Sequence, residues 1–449
     1  MAFLFAALYV QPGPFFDTLR HLNQSGIWIY LMNWLPIYLC AVMLHMLTNS
    51  CALAVSVTGA VAGSLSVANY LKIQMRHSPL FPWDLALVGE VLGIARSFPA
   101  SLISMLIILF IGMLAFIALS VFFVRDKPLA VKRRIGGAVF VILASILMYG
   151  QYADKELYAR AYVHGSPYNQ VNRFNSRGFL YSFTHVLVGT RIEVPPGYSR
   201  QEAAAFLADC ENIIQPRQTP HVIVIMSEAF SDIALNPGLD FTGFTDPLAN
   251  FKEIKTESLS GHVVVPNIGG GTADMEFDFL TGVNTRHYRG VPYTFNLINK
   301  PIESLASKLT RIGYSSVMIH PGPGWFYDRA NAYPHMGFDR TIFLPEFEGA
   351  RYAGGYISEE AAIDKVISVF EEHIAVSNAP LFEFCITIQN HGPYLDKFLA
   401  PGDPPLPKNF ETALPLSDAS LNVLYNYFHG LTDADRELRR LTDYLEARP

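Results

Sequence analysis

Apolar positions crowd into the first third of the chain and then thin into short, evenly spaced runs. Gly26 to Leu47, Ser50 to Ile73, Pro99 to Val124 and Ile135 to Ala153 each supply about the ~20 apolar residues a helix needs to cross a bilayer core. Met1 to Val10 is apolar but too short to cross alone. Lacking a basic start and a small-residue cleavage site, it reads as the end of a shortened first helix rather than a leader peptide. About five helices are therefore expected in residues 1–153. The basic residues Arg125, Lys127, Lys132, Arg133 and Arg134 cluster in one short loop, which the positive-inside rule places in the cytoplasm, so everything after about Tyr152 is expected outside. Asn69 to Trp83 mixes Lys72, Arg76 and His77 with Pro79, Pro82 and Trp83, and reads as an ordinary juxtamembrane loop at a membrane interface.

Residues 154–217 turn polar, with a break at Pro195-Pro196-Gly197, and are expected to form a stalk of short helices. Residues 218–449 change pattern again. His221 to Met226, Ser315 to His320 and Leu381 to Gln389 are compact, β-branched or aromatic runs typical of buried parallel strands. Helix-period segments separate them at Pro301 to Ile312, Ser358 to Ala375 and Ser417 to Ala447. This alternation predicts an open α/β sheet, in which ligands bind beyond the carboxyl ends of the strands. The final amphipathic stretch, Asp433 to Ala447, should lead back to another buried strand, so the pattern raises the expectation that the C-terminal part of the domain is missing.

Composition narrows the classes. With 51% hydrophobic and 16% charged residues, a set of ordinary soluble domains is excluded, and a net charge of −6 provides no basic stripe for nucleic acid. The cysteines Cys40, Cys51, Cys210 and Cys385 form no CxxC pair and are expected to be inert, apolar-buried thiols.

Polar residues follow each strand candidate. Glu228, after HVIVIMS, is either a cap for the next helix or an oxygen ligand for a hard divalent cation. Gly269-Gly270-Gly271-Thr272 lets the backbone approach a bound group closely and begins a helix at Ala273, so Thr272 is either a plain N-cap or the lip of an anion site. No Gly-Lys-Ser/Thr follows, which excludes a Walker A loop. His320 leads through a tight Pro-Gly loop to Arg329, a candidate anion clamp that Asp328 could instead neutralise. His391 sits in a similar Gly-Pro setting after the third strand. Asp274, Glu276 or Asp278 could substitute as metal ligands, but they are expected to lie along the helix and face solvent or the stalk. Together Glu228, Thr272 and the two histidines imply a metal-assisted site for a phosphorylated ligand.

The strings HVIVIMSEAFSD, VVVPNIGGGTADMEFDFLTG, GYSSVMIHPGPGWFYDR with AYPHMGFDR, CITIQNHGPY and, in the membrane half, NYLKIQMRHSPLFPWDL occur in an order that resembles the lipoteichoic acid synthase and phosphoglycerol transferase group of membrane-anchored, sulfatase-like enzymes. The resemblance implies a multi-pass helical anchor followed by an extracytoplasmic α/β domain of alkaline-phosphatase type with a divalent metal, manganese or magnesium. It implies Thr272 as nucleophile, Glu228 and Thr272 as metal ligands, and His320, Arg329 and His391 as holders of the glycerol phosphate group. Gly271 stands where a lysine can precede the nucleophile, and Tyr327 where the best-known members have Trp. The family's Asp-His metal pair, carried on a strand after the last helix, has no counterpart before Pro449, so the chain as given is expected to be an inactive fragment of a longer enzyme.

The function implied is transfer of glycerol phosphate from phosphatidylglycerol or a related lipid to a glycerophosphate polymer or glycan, at the outer face of a bacterial cytoplasmic membrane. Phosphoethanolamine transfer, sulfatase-type hydrolysis and an inactive glycerophosphate-binding pseudoenzyme are the alternatives. The absence of a Cys/Ser-x-Pro-x-Arg string after Thr272 argues against the sulfatase-type reaction.

Overall fold

The computed structural model describes residues 23–24, 26–76, 79–87, 100–124, 128–161, 170–189, 197–209, 219–265, 271–285, 294–399 and 404–448. The segment Met1 to Val10 lies outside them. The chain divides into two compact units.

The first unit contains α1 (Ile27–Thr48), α2 (Cys51–Arg76), α3 (Ala100–Phe123) and α4 (Val131–Ala153). Among the described residues, these four are long and apolar enough to cross a membrane. Large apolar side chains such as Ile108, Phe116, Phe122 and Leu147 are exposed on them, as expected where lipid is the solvent. Cys40 and Cys51 are also exposed, contrary to the buried-thiol expectation, because an apolar position on such a helix need not face protein; Cys385 alone of the described cysteines is buried. Arg134 donates from Nε to the Met46 carbonyl at 2.7 Å, setting a cation against the unpaired carbonyls at the end of α1.

The same unit includes α5 (Lys155–Arg160), α6 (Gln170–Arg177) and α7 (Phe179–Gly189). Asn33 of α1, only 1% exposed, joins them to the spans. Its Nδ2 donates to the Ile29 and Arg177 carbonyls at 2.8 Å each, and its Oδ1 accepts the Tyr181 N–H at 2.9 Å. Gly178 makes this approach feasible, since its φ is 84° and a Cβ there would lie 2.4 Å from Asn33 Oδ1. In the Asn69 to Trp83 stretch, Lys72 pairs with Asp84 at 2.6 Å and Asn69 Oδ1 accepts the Leu80 N–H at 2.8 Å. These groups brace the loop itself.

The second unit runs through α8 (Arg200–Asp209), β1 (Val222–Met226), β2 (Leu239–Asp240), α9 (Ala249–Glu257), α10 (Thr272–Thr281), α11 (Leu305–Arg311), β3 (Ser315–Ile319), α12 (Arg329–His335) and β4 (Arg340–Ile342). It continues through β5 (Tyr352–Ala353), β6 (Tyr356–Ile357), α13 (Glu359–Val376), β7 (Leu381–Ile386), β8 (Glu411–Thr412) and α14 (Asp418–Glu446). The main sheet has the order β1-β7-β3-β4 with every pairing parallel, and two short antiparallel ladders, β2-β8 and β5-β6, lie apart from it. The three strands expected from sequence are present. β4 is an addition, since three residues are too few to show a period. β7 ends at Ile386 rather than Gln389; just beyond it the Thr387 N–H still donates to the Met226 carbonyl of β1 at 3.1 Å, while its hydroxyl oxygen accepts the Glu228 N–H.

β7 is buried on both faces because helices cover both. Phe382, Phe384 and Ile386 pack with Ala273, Phe277, Tyr333 and Met336 on one side, while Leu381 and Cys385 pack with Val366, Phe370 and Leu441 on the other. Glu383 interrupts that second face. It is fully buried between Ile223 and Val317 of the neighbouring strands, and neither carboxyl oxygen has a hydrogen-bond partner. Burial pushes its pKa up to about 9, so the folded protein keeps it protonated at neutral pH.

An unfolded glutamate ionises above about 4.3. Between that pH and about 9, unfolding therefore releases a proton and stability falls as pH rises. Glu383→Leu should stabilise the second unit at pH 7 by roughly 2 to 4 kcal/mol, with the advantage shrinking toward pH 5. Urea unfolding of the full chain in detergent at both pH values measures it; a pH-independent difference would contradict the assignment.

Candidate active site

The register Met226 to Ile386 and Ile319 to Cys385 aligns the carboxyl ends of β1, β7 and β3 side by side. Glu228, His320 and the 387–391 loop therefore converge for a topological reason. After β1 the Glu228 N–H donates to Thr387 Oγ1 at 3.1 Å, and Ala229 adopts φ 53°. Glu228 does not cap the next helical turn, Ile233–Leu235, because Asp232 does, accepting the Ala234 N–H at 3.2 Å. Burial pushes the Glu228 pKa up; His391, Arg329 and Lys397 act in the opposite direction, and Glu276 reinforces the rise. Five charged or ionisable groups thus share one neighbourhood.

His320 is 3% exposed and its Nδ1 donates to the Ile386 carbonyl at 3.2 Å. Burial, with Arg329 nearby, pushes its pKa well below the ordinary value, so the ring is neutral and Nε2 is a lone-pair acceptor. That atom has no partner, and a Cβ on Gly322 would lie 2.5 Å from it. The glycine keeps open the space in front of the acceptor.

Arg329 follows two left-handed residues, Tyr327 (φ 60°) and Asp328 (φ 59°), conformations that store about 1 to 3 kcal/mol each where the Cβ is crowded. Its guanidinium is 2% exposed. Nε donates to Glu276 Oε2 at 3.0 Å, Nη2 donates to Oε1, and the Tyr333 hydroxyl donates to Oε2. Burial opposes the charge on Arg329, but Glu276 more than offsets it and holds the pKa above its usual value. The remaining nitrogen, Nη1, is buried with no partner. A buried donor of this kind, close enough to act electrostatically on a buried acceptor, suits an anionic ligand that also carries hydroxyl groups.

Two expectations are corrected here. Glu276 and Asp274 do not face solvent or the stalk. Glu276 is fully buried on Arg329, and Asp274, 6% exposed, accepts from the Thr294 N–H at 3.0 Å and from its hydroxyl at 2.8 Å. Nor does Asp328 neutralise Arg329, since its Oδ2 accepts from Asn331 Nδ2 at 3.0 Å. The left-handed backbone turns the two neighbouring side chains apart.

Thr272 is the first residue of α10, half-buried, and follows Gly271 at φ 86°. Residues four apart share one helix face, so Thr272 sits one turn before Glu276, on the side of α10 that holds Arg329. His391 is half-buried, with Nδ1 bonded to the Gly392 carbonyl at 2.8 Å. Behind Glu228 lies a polar band. Glu359, raised by burial to about 7, neighbours Thr387; its N–H donates to Gln389 Oε1 at 2.6 Å, and Gln389 Nε2 donates to Asp433 at 2.8 Å. Sequence reading misplaced Glu276 and did not single out Tyr333 or Lys397. The four-residue offsets Thr272 to Glu276 and Arg329 to Tyr333 were the available signal, once both segments were known to be helical.

The sulfatase family model matches residues 220–449, the whole strand and helix half of the chain. The chain belongs to the sulfatase family. Sulfatase-family enzymes are phosphotransferases or hydrolases that generally use a divalent metal. Over 293 residues this chain is 31% identical to a putative cyclic beta-1,2-glucan modification protein of Rhizobium meliloti, covering 63% of this chain and 42% of that one. It is also similar to two solved structures. The phosphoglycerol transferase GacH of Streptococcus pyogenes, in complex with sn-glycerol-1-phosphate, is 23% identical with a TM-score of 0.46, covering 57% of this chain and 67% of that one. The lipoteichoic acid synthase LtaP of Listeria monocytogenes is 20% identical with a TM-score of 0.43, covering 54% and 58%. This sulfatase-family chain thus spans less than half the length of its Rhizobium relative.

Glu228 and Thr272 offer oxygen donors of the kind a hard cation takes. Among the described residues, however, no group of three or more His, Cys, Asp or Glu side chains is placed to hold a metal, so these donors do not make up a coordination shell.

Because Arg329 depends on its carboxylate, Glu276→Ala should destabilise the second unit by about 3 to 5 kcal/mol. Tyr333→Phe, which removes one hydrogen bond, should cost about 1 kcal/mol. Denaturant unfolding of both variants tests this; equal small losses would show that the buried Arg329 does not depend on Glu276.

Proposed function

We propose that this protein transfers a glycerol phosphate group from phosphatidylglycerol, or a related lipid, to a cell-envelope glycan or glycerophosphate polymer through a phosphothreonine intermediate. The observation that carries the reading is the pairing of a buried, unpartnered cation donor with a buried, unpartnered neutral acceptor, Arg329 Nη1 and His320 Nε2. Arg329 Nη1 would bind a phosphoryl oxygen, while His320 Nε2 would accept from a glycerol hydroxyl. The name of the Rhizobium relative, a glucan modification protein, supports a glycan as acceptor.

In this reading the Thr272 hydroxyl attacks the lipid phosphorus, forming a Thr272 Oγ–P bond as the bond from phosphorus to the diacylglycerol oxygen breaks. The departing oxygen takes up a proton and diacylglycerol is released. A hydroxyl of the acceptor then attacks the same phosphorus, restoring Thr272. His391 lies beside Glu228 and would carry a proton in each half-reaction. The reading includes a divalent cation, manganese, with magnesium as the alternative, and Glu228 and Thr272 among its ligands. The apolar spans suit a lipid donor, and the basic residues between Arg125 and Arg134 support, by the positive-inside rule, a reading in which the reaction takes place at the outer face of a bacterial cytoplasmic membrane.

Supplying phosphatidylglycerol labelled in its head group should move label onto glycan and release diacylglycerol, and Arg329→Lys should lower kcat/KM by about a hundredfold or more. Label transfer from phosphatidylethanolamine instead would support the phosphoethanolamine alternative. A Lys variant that works as well as the parent would remove Arg329 from the site.

A further inference from the structure

A lysine six residues beyond His391 is held at the strand ends by contacts from several elements. Asp396, just before it, adopts φ 51°, an unfavourable backbone for a residue with a Cβ. Asn422 of α14 locks that conformation: its Oδ1 accepts the Asp396 N–H at 3.1 Å and its Nδ2 donates to Asp396 Oδ1 at 2.8 Å. On the other side the Phe398 N–H donates to Asn426 Oδ1 at 2.9 Å, one turn along the same helix. Gly354 completes the mount, since a Cβ there would lie 2.6 Å from Lys397 Cε.

The Lys397 ammonium stands 4.8 Å from the Tyr356 ring centroid, 5.6 Å from that of Tyr394 and 5.5 Å from that of Phe398. It donates to the His391 carbonyl. Among the described residues no carboxylate pairs with it directly, and Glu228 is its charged neighbour. An ammonium has three N–H donors, and the one bond to His391 leaves two for something else. Tethering the His391 turn could be done by a neutral donor, whereas a half-buried cation carries a desolvation penalty that an anionic ligand offsets. Burial pulls its pKa down to about 8, with Glu228 acting the other way, so it is largely charged at neutral pH.

We propose that Lys397 is a substrate-contacting residue, whose two remaining N–H groups bind an anionic oxygen of the same phosphoryl group that Arg329 holds. This rests on the anion-site reading above. It adds a second cation to that site, contributed by the loop after β7 and positioned by α14.

The test uses the full chain in detergent with two variants, Lys397→Met, which keeps the apolar stem against the three rings, and Lys397→Arg, which keeps the charge. Inorganic phosphate is the probe, titrated calorimetrically, with thermal unfolding measured alongside. The Met variant should weaken phosphate binding about tenfold to a hundredfold at an unchanged melting temperature, and the Arg variant should recover most of that loss. In turnover, the Met variant should raise KM as well as lower kcat. Unchanged phosphate affinity in the Met variant, or equal losses in both variants together with a lower melting temperature, would overturn the proposal. Lysine-dependent phosphate binding in a parent protein that releases no diacylglycerol from phosphatidylglycerol would uphold the lysine and refute the phosphoglycerol reading.

Discussion

A guanidinium removed from water is costly to bury without a partner, and in this protein the carboxylate that offsets the cost joins two helices. Arg329 at the start of α12 meets Glu276 on α10, with Tyr333 completing the carboxylate's hydrogen bonds from one turn further along α12. Because Glu276 is used up by Nε, Nη2 and the Tyr333 hydroxyl, Nη1 alone of the guanidinium nitrogens is left without a hydrogen-bond partner. The same pairing fixes the rotation of α10 and so the face from which Thr272 projects. Arg329 and Thr272 are thus positioned by one buried ion pair, whose first role is to make the arginine tolerable.

The second constraint is the all-parallel register of β1, β7 and β3, which brings chemically unrelated loops to one edge. Backbone strain collects there too. Of the five non-glycine residues with positive φ among the described residues, Ala229, Tyr327, Asp328 and Asp396 all lie in loops around this edge, and only Asn49 lies elsewhere. Such conformations persist where surrounding contacts over-determine them; here Ala229 follows Glu228, Tyr327 and Asp328 lead into Arg329, and Asp396 precedes Lys397. Glu383, in the middle of β7, is the opposite case, a polar group in the core with no partner.

Much of this organisation was legible in the chain itself. The apolar spans, the three long strands and the residues after them follow from period and length, and Glu228, His320 and His391 were found because they stand just past buried runs. The ion pair was not legible, because Glu276 and Arg329 are 53 positions apart and their meeting depends on how α10 and α12 pack. For the same reason Asp328, adjacent in sequence, was the natural but incorrect partner for Arg329. Lys397 was hidden differently. Its placement depends on Asn422 and Asn426 of a helix that begins some twenty residues later, and nothing in the local string indicates it.

The proposed transfer requires Thr272 to carry the glycerophosphoryl group covalently between donor and acceptor. The most direct measurement is mass spectrometry of the peptide containing Thr272 after brief incubation of the full-length protein with phosphatidylglycerol and acid quenching. The account predicts a glycerophosphoryl adduct on Thr272, absent from Thr272→Ala and removed by adding a glycan acceptor. Head-group transfer with the peptide unmodified at every time point, or an adduct on another residue, would contradict it.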